Sequence, residues 1–404
     1  MIINRNLNYS FLYNIANAVF PVATLPFVFR AITPQTYGSI VYSNLIYQVL
    51  IALFFNSLIS FSIREYQKNK LESVDAIYSL QIFFTVMSAF LYAFLSFFFK
   101  FTFDLDNNYI DAFIISTCFL FINSDWILFS EQDYKKLFYR TLLIKSVLLI
   151  SVYVFVTDDQ DDLLYAYMLS ISYISNNLLA YYYVRKCYGV RIKFSLRKIK
   201  ATISQARYFL SSASIGVSYQ YVDQLIVGVL LNSSSLAYLN ILKQITGMLS
   251  IVPNTICRFY LPKASLVYLN KDNIKNYHKS LSVKYISVMI SSSVLLFILG
   301  QYGLQLFVGE NFDISKESIT ICILLYIISA LSVYLDTQHS IPLHYEKVTF
   351  SANVIVASFY LISLYWVATN YNYNGVLFSL AVAELLGVVY VCVFYLRRKE
   401  VWLK

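Results

Sequence analysis

Long apolar segments alternate with short polar segments along the whole chain. Most apolar segments are about 20 residues long, which is the length that a helix needs to cross the hydrocarbon core of a bilayer. This pattern predicts an all-α polytopic membrane protein with twelve transmembrane helices. The predicted spans are 9–29, 38–62, 78–99, 109–130, 141–156, 163–184, 206–231, 236–261, 285–308, 318–335, 349–369 and 375–395.

The composition agrees with this prediction, because 58% of the 404 residues are hydrophobic and only 13% are charged. An ordinary soluble domain has about 25% charged residues, so the chain is typical of a protein whose solvent is mostly lipid. The first span follows the polar stretch MIINRNLN and ends without a small-residue cleavage site. We therefore expect it to be retained as a membrane helix rather than removed as a signal peptide.

The net charge of +9 follows the predicted topology. Most of the 31 Lys and Arg residues fall between spans on the side that carries both termini. The opposite loops hold only Lys100 and Lys316 and carry the acidic stretches FDLDNN, DDQDD and GENFD. Because basic residues concentrate on the cytoplasmic side of membrane proteins, both termini are predicted to be cytoplasmic. The basic excess therefore predicts contact with membrane lipids and no nucleic-acid partner.

The five cysteines and three histidines indicate no metal or disulfide framework. Four cysteines fall inside predicted spans, and no CxxC spacing occurs in the sequence. His278, His339 and His344 fall in predicted cytoplasmic loops, where we expect them to be solvated. We predict no organic cofactor and no bound metal.

The longest basic segment, residues 185–207, lies between spans six and seven. Its residues Ile192, Leu196, Ile199 and Ile203 recur at helical spacing, with basic residues mostly between them. This pattern is typical of an amphipathic helix on the membrane surface. The chain is thus predicted to comprise an N-terminal six-helix lobe (1–184), a cytoplasmic linker (185–205), a C-terminal six-helix lobe (206–396) and a basic cytoplasmic tail (397–404).

Polar side chains form faces on spans one, two, seven and eight. Interhelical hydrogen bonds account for any single amide. Matching polar faces in both halves of the chain favour a water-filled cavity in which these groups are solvated. The residues are Asn14 and Asn17 in span one, Asn44 and Gln48 in span two, Gln220 and Asp223 in span seven, and Asn240 and Lys243 in span eight.

Charged residues inside the predicted spans are the strongest candidates for function, because a charge near the bilayer centre costs roughly 2.5 to 3.5 kcal/mol. Asp223 and Lys243 either form a buried ion pair or act separately, as a proton-linked acid and an anion-binding cation. Glu384 in span twelve is either a second protonatable acid or a neutral carboxyl packed between helices.

Three prolines fall inside predicted spans: Pro21 and Pro26 in span one and Pro253 in span eight. A proline removes an amide donor from a helix and permits a kink. The kinks are either static or part of a helix that bends during transport.

The stretch INSDWILFSEQDYKKLFYR, residues 122–140, ends the fourth span with charges. We predict Trp126 in the aromatic belt at the membrane interface, with Asp125 near enough to the surface for partial hydration. The i, i+4 spacing of Glu131 and Lys135 predicts that the helix continues into the cytoplasm.

Short motifs occur in order along most of the chain. They are PFVFRAITPQTYGSI (26–40), SIREY (62–66), Asp125-Trp126 with Phe129, Glu131, Tyr134 and Lys135, YQYVDQLIVG (219–228) and FYLPKAS (259–265). In order and spacing they resemble motifs of Wzx-type O-antigen flippases, which belong to the multidrug/oligosaccharidyl-lipid/polysaccharide (MOP) exporter superfamily. Two stretches depart from the family pattern. Ala31-Ile32-Thr33-Pro34 stands where Leu-Gly-Pro is common, and Ser130-Glu131 stands where Gln-Gly is common.

The resemblance implies two six-helix lobes around a cavity lined by spans one, two, seven and eight. It implies a flippase that moves an undecaprenyl-pyrophosphate-linked oligosaccharide, of O-antigen or capsule type, across the bacterial inner membrane by ion-coupled alternating access. We expect a monomer that works beside a polysaccharide polymerase and chain-length partners. The implied roles are pyrophosphate or sugar binding for Arg30, Lys243, Asn14, Asn17, Asn44, Gln48, Gln220 and Asn240; proton or sodium coupling for Asp223 and Glu384; and gating or structural support for Pro21, Pro26, Pro253, Asp125, Trp126 and Arg64.

Two alternatives remain. A multidrug exporter of the same superfamily requires acids and aromatic residues for organic cations, and the chain has 37 Tyr and 32 Phe. A membrane-embedded polysaccharide polymerase or ligase is an enzyme with as many spans. Such enzymes usually present a sizeable exterior loop with arginines, whereas the exterior loops predicted here are short and acidic.

Overall fold

The computed structural model describes residues 2–68, 70–103, 109–270, 274–308, 314–343 and 345–397. Helices make up the regular structure of these residues, and no strand occurs among them. The α-helices are α1 (Ile2–Ala31), α2 (Pro34–Leu50), α3 (Ser57–Lys68), α4 (Lys70–Phe103), α5 (Ile110–Cys118), α6 (Asp125–Ser130), α7 (Tyr134–Phe155), α8 (Asp162–Tyr188), α9 (Leu196–Leu230), α10 (Ser233–Asn270), α11 (Ile274–Val308), α12 (Lys316–Leu335) and α13 (Glu346–Arg397).

Eight helical segments of the described chain are long and apolar enough to cross a membrane. The prediction of an all-α, multi-pass membrane protein is therefore confirmed. Twelve spans and cytoplasmic termini stay predictions, because the α5–α6 region, α8 and α9 fall outside these eight segments and α13 counts as one.

The 52-residue helix α13 is a helical hairpin. Asn372 has φ 58° and interrupts the helix. On either side of it, the hydroxyls of Ser363 and Ser379 lie 2.8 Å apart, and Gly387 packs against Val356. Because these pairs are centred on Asn372, the two arms run antiparallel, as predicted for spans eleven and twelve.

The fourth predicted span is not one helix. Helix α5 ends at Cys118, a 3₁₀ turn covers Leu120–Ile122, and α6 begins at Asp125. The prediction that a charged helix continues past Ser130 is also wrong. The chain turns at Gln132, where φ is 54°, and α7 begins two residues later.

The chain forms two compact units, Met1–Ala237 and Tyr238–Lys404. In the first unit, α1 packs on α7, α5 lies against α4 and α8, and α9 packs on α2, α3 and α4. In the second unit, α12 packs between α11 and α13. Helix α9 thus belongs to the first unit, although it contains span seven, which the sequence assigned to the C-terminal lobe. The predicted lobe limits stay a prediction.

The predicted linker 185–205 is attached to the first unit by polar contacts. It contains the end of α8, a non-helical stretch from Gly189 and the start of α9. The amide of Ser195 donates to Ser79 Oγ at 2.9 Å, and Lys198 pairs with Asp75 at 3.5 Å.

The departure from the family pattern after span one forms a capped turn. Thr33 precedes α2 and its hydroxyl accepts a hydrogen bond from the amide of Thr36, while Pro34 takes the first helical position. Proline fits this position because its missing amide proton has no helical acceptor there. The amide of Thr33 donates to Asp159 in the acidic loop before α8 at 2.9 Å.

Candidate functional site

A buried ion pair joins α6 to α7 in the first unit. Arg140 donates from Nη1 and Nη2 to the two carboxylate oxygens of Asp125, at 2.5 and 3.1 Å. The Arg140 side chain has no exposed surface, and that of Asp125 is 12% exposed. The prediction that Asp125 is partly hydrated near the membrane surface is therefore wrong. Its charge is stabilised by a bidentate partner instead of by water.

Trp126 is equally buried, at 1% exposure, so its predicted place in an interfacial belt is wrong. Its ring makes edge contacts with Tyr66 and Tyr78, at centroid distances of 5.7 and 5.8 Å. Trp126 Nε1 and Arg140 Nε have no acceptor among the described residues. Two buried hydrogen-bond donors at the ion pair thus have no acceptor among the described residues, a feature that is rare in native proteins.

The break between α5 and α6 is stabilised by polar side chains of neighbouring helices. Backbone groups that leave a helix at membrane depth require partners inside the protein. Gln81 donates to the carbonyl of Asn123 at 3.1 Å, and Gln67 donates to the carbonyl of Ser130 at 2.8 Å. The hydroxyls of Tyr78 and Ser124 lie 2.7 Å apart. Broken helices of this kind occur at the binding sites of many transporters.

An acidic residue at the end of α6 anchors this helix to α3 and α4. Glu131 Oε1 accepts hydrogen bonds from Lys70 at 2.5 Å and from Tyr66 at 2.9 Å. The hydrogen bond from Lys70 holds the pKa of the Glu131 carboxyl below its usual value, although partial burial opposes the shift. The partner predicted for Glu131, Lys135, is exposed on α7 instead.

Predicted residues of α1 lie beside the Asp125–Arg140 pair. Tyr13 packs its ring edge on Phe129 at 6.1 Å, interacts electrostatically with both members of the pair and is hydrogen-bonded to Asn17. Asn14 is exposed on the same helix. The structure thus connects Asn17 to the buried pair through one tyrosine.

The predicted polar face of span two meets a tyrosine of α8. Gln48 Nε2 donates to Tyr173 Oη at 3.3 Å, and the ring of Tyr173 stacks on Tyr47 at 5.0 Å. Asn44 interacts with the same hydroxyl, while its Oδ1 has no partner in the described part of the chain. Tyr221 of α9 also interacts with Tyr173. Amides and a phenol therefore form one polar group inside the first unit.

Asp223 lies two residues after Tyr221 and is fully buried. Its Oδ1 accepts a hydrogen bond from the amide of Gln224 at 2.7 Å. The side chain of Gln220 lies outside the described residues. Burial of an acid in this predicted membrane span fits the prediction of a functional carboxyl.

The remaining predicted residues of the second unit lie on α10 and α13. Gln244 donates to Asn240 Oδ1 at 2.6 Å, one turn along α10. Lys243, between them, is half-buried, and Pro253 is buried farther along the same helix. Glu384 is half-buried in the second arm of α13 and has no hydrogen bond to a described residue.

The other predicted residues of the first unit lie on α1 and α3. Arg30 is exposed at the end of α1, and Pro21 and Pro26 are half-buried inside that helix. Arg64 is exposed, pairs with Glu65 at 2.9 Å and lies 5.5 Å from the ring of Phe61.

Two histidines form a buried cluster in the second unit, so their predicted place in solvated loops is wrong. His278 of α11 and His339 of the π-helical turn after α12 stack at a centroid distance of 4.3 Å. The hydroxyl of Tyr268 lies 2.9 Å from His278 Nε2 and 2.7 Å from His339 Nδ1. Tyr334 Oη lies 3.2 Å from the other nitrogen of His278. His344 lies outside the described residues.

No group of three His, Cys, Asp or Glu side chains with metal-ligand placement occurs in the part of the chain that the structure describes. Sequence reasoning missed Arg140 and the histidine cluster, because both depend on contacts between distant helices. The stretch Asn123-Ser124-Asp125 was an available signal for the helix break, since these residue types favour helix N-termini.

Comparisons with known proteins agree with this architecture. A family model described as polysaccharide biosynthesis protein matches residues 3–265. No curated protein matches the chain in sequence. The structure is similar to that of "Lipid II flippase MurJ, inward closed conformation", with a TM-score of 0.70 and 16% identity over 96% of this chain and 87% of that one.

Two structures of a multidrug resistance MATE family transporter of the MOP superfamily are also similar, each at 10% identity. The inward-facing conformation gives a TM-score of 0.64 over 97% of this chain and 95% of that one. The outward-facing conformation gives 0.58 over 99% and 95%. The predicted helical transporter fold is confirmed.

Proposed function

Because the chain belongs to the polysaccharide biosynthesis protein family and has the fold of MOP-superfamily transporters, we propose that it is a flippase for a lipid-linked oligosaccharide. Its substrate is an undecaprenyl-pyrophosphate-linked repeat unit of O-antigen or capsule type. The protein moves this unit across the bacterial inner membrane without making or breaking a covalent bond.

The observation that carries this proposal is the family match over residues 3–265, combined with similarity to a lipid II flippase over almost the whole chain. Similarity to both inward- and outward-facing transporters supports alternating access as the mechanism. The substrate shifts the populations of the inward- and outward-facing states only if its affinity for the two states differs.

The chemistry required is differential binding. Arg30 and Lys243 attract the pyrophosphate, because ammonium and guanidinium groups form charge-assisted hydrogen bonds with phosphate oxygens. Amides bind sugar hydroxyls, and the Asn44–Gln48–Tyr173 group shows that such polar groups lie inside the first unit. Asp223 and Glu384 couple transport to a proton or sodium gradient. The other proposed sugar contacts are Asn14, Asn17, Gln220 and Asn240.

A multidrug exporter is the second candidate, and similarity to the MATE transporters favours it. In that case, the buried carboxyl of Asp223 binds an organic cation. The polysaccharide family match supports the flippase over this exporter.

The test is deletion of the gene in its native host, followed by analysis of lipid-linked oligosaccharides with an impermeant sugar-modifying reagent. We expect single repeat units to accumulate on the inner leaflet. Wild type and Lys347→Ala, which removes an exposed lysine, should restore export, whereas Lys243→Ala should not. Outward-facing units would instead indicate a polymerase or ligase. Unchanged glycolipids with altered drug sensitivity would indicate the multidrug exporter.

A further inference from the structure

A groove of about 380 Å³ with a mixed polar and apolar lining lies between α10 and α11 in the second unit. Tyr260 and Lys263 line it from α10, and Asn276, Ser280 and Lys284 line it from α11. The three α11 residues are spaced four apart, so they lie on one face of that helix. The groove thus has a lysine on each wall, and its α11 wall also carries an amide and a hydroxyl.

The groove is strongly cationic. Lys263 and Lys284 are both exposed, and no carboxylate among the described residues forms an ion pair with either. None of the described residues that line it is acidic. Two ammonium groups on facing helices, with no paired carboxylate in the described part of the chain, favour an anion between them.

The floor of the groove is held in place by hydrogen bonds. Tyr277 of α11 donates through its hydroxyl to the carbonyl of Tyr260 at 3.2 Å or to Gln338 Oε1 at 3.0 Å. Lys263 Nζ lies 5.9 Å from the centre of the Tyr277 ring, which is within the range of a cation–π contact. The α10 wall is therefore fixed to the α11 wall, and binding does not have to order it.

The position of the groove identifies the class of anion. It lies in the segment between predicted spans eight and nine, which the charge pattern places on the cytoplasmic side. Basic pockets between membrane helices on that side suit lipid phosphate groups. The apolar residues Val267 and Leu281 also line the groove and offer contact to the hydrocarbon next to a headgroup.

We propose that this groove binds the phosphate headgroup of a membrane lipid. Lys263 and Lys284 neutralise the phosphate charge, while Asn276 and Ser280 donate hydrogen bonds to its oxygens. An anionic phospholipid and a polyprenyl pyrophosphate carry the same recognition chemistry, so both are sources of the ligand. The proposal concerns binding alone and does not depend on the flippase function.

The experiment titrates the full-length protein, purified in neutral detergent, with three probes: phosphatidylglycerol, undecaprenyl pyrophosphate and inorganic pyrophosphate. Bound ligand is counted by native mass spectrometry, with phosphatidylcholine as the zwitterionic baseline. The test variant is Lys263→Gln with Lys284→Gln. The matched control is Lys275→Gln with Lys279→Gln, which removes two exposed lysines of α11 that do not line the groove.

We expect the groove variant to bind its preferred lipid about 30-fold more weakly than wild type, and the control to differ by less than about threefold. Tighter binding of phosphatidylglycerol identifies a membrane phospholipid as the source, and tighter binding of undecaprenyl pyrophosphate identifies a substrate-type lipid. Equal losses in both variants, or no loss in the groove variant, would overturn the proposal. Binding of inorganic pyrophosphate as tightly as either lipid would overturn the assignment to a lipid.

Discussion

Removing one member of the Asp125–Arg140 pair should strongly destabilise the first unit. Asp125→Asn keeps the shape of the side chain but removes the charge that balances a guanidinium with no exposed surface. Loss of one partner from a buried, bidentate pair costs about 3–5 kcal/mol, because the remaining charge stays buried without compensation. By contrast, Arg64→Gln breaks an ion pair whose arginine is 46% exposed and should cost at most about 1 kcal/mol.

The assay is unfolding in mixed micelles with increasing denaturing detergent, followed by the change in tryptophan fluorescence as buried Trp126 becomes exposed. A double-mutant cycle joins the single variants Asp125→Leu and Arg140→Met to their double variant. We expect the free energy of unfolding of the double variant to lie within about 1 kcal/mol of wild type, since apolar replacement of a buried pair is often neutral. If Asp125→Asn costs no more than Arg64→Gln, or if the effects of the two single substitutions add in the double variant, the reasoning is wrong.

Three further predictions concern local contacts. Gly38→Ala should destabilise the protein by about 1–3 kcal/mol or more, because the new methyl group overlaps a backbone carbonyl at the start of α10. In the control variant Gly247→Ala, the methyl group meets open space and should not lower the melting temperature. Glu131→Gln should remove a stabilising contribution of the Glu131 carboxylate, which is present above its unfolded-state pKa and is lost as the pH falls through its lower folded-state pKa. The melting temperatures of this variant at pH 7 and pH 3 should therefore differ less than those of wild type. An unchanged difference would contradict the Lys70 contact. Tyr268→Phe should cost about 1–3 kcal/mol, because two buried imidazoles lose their shared hydroxyl, and an unchanged melting temperature would show that the cluster does not depend on it.

The all-helical fold was predictable because a lipid environment imposes the same requirement on every span. In lipid, the backbone N–H and C=O groups of an apolar run must be hydrogen-bonded within the run, so a run of sufficient length indicates a helix wherever it occurs. The hairpin of α13 illustrates this, since the polar residues around Asn372 separate two apolar runs of sufficient length. The kind of turn was not predictable, because its geometry depends on how closely the two arms pack.

The buried pair was not predictable for a different reason. Arg140 follows Asp125 by fifteen residues and a reversal of the chain, so no helical periodicity connects them. An apolar run around a break has the same composition as an unbroken span, and side chains of other helices supply its missing hydrogen bonds. Glu131 shows the same limit, because helical spacing suggested Lys135 while Lys70 of a different helix is the partner.

The tight reversal at Asn372 limits how the topology of this protein can be mapped. A reporter enzyme or epitope inserted at this turn would have to separate arms that already touch three residues later, where a Cβ on Gly375 would overlap the side chain of Tyr371. A signal from such a fusion would report a disrupted hairpin rather than the side of the membrane. A cysteine at Asn372, labelled with a small impermeant reagent, adds far less bulk and leaves the two arms in contact.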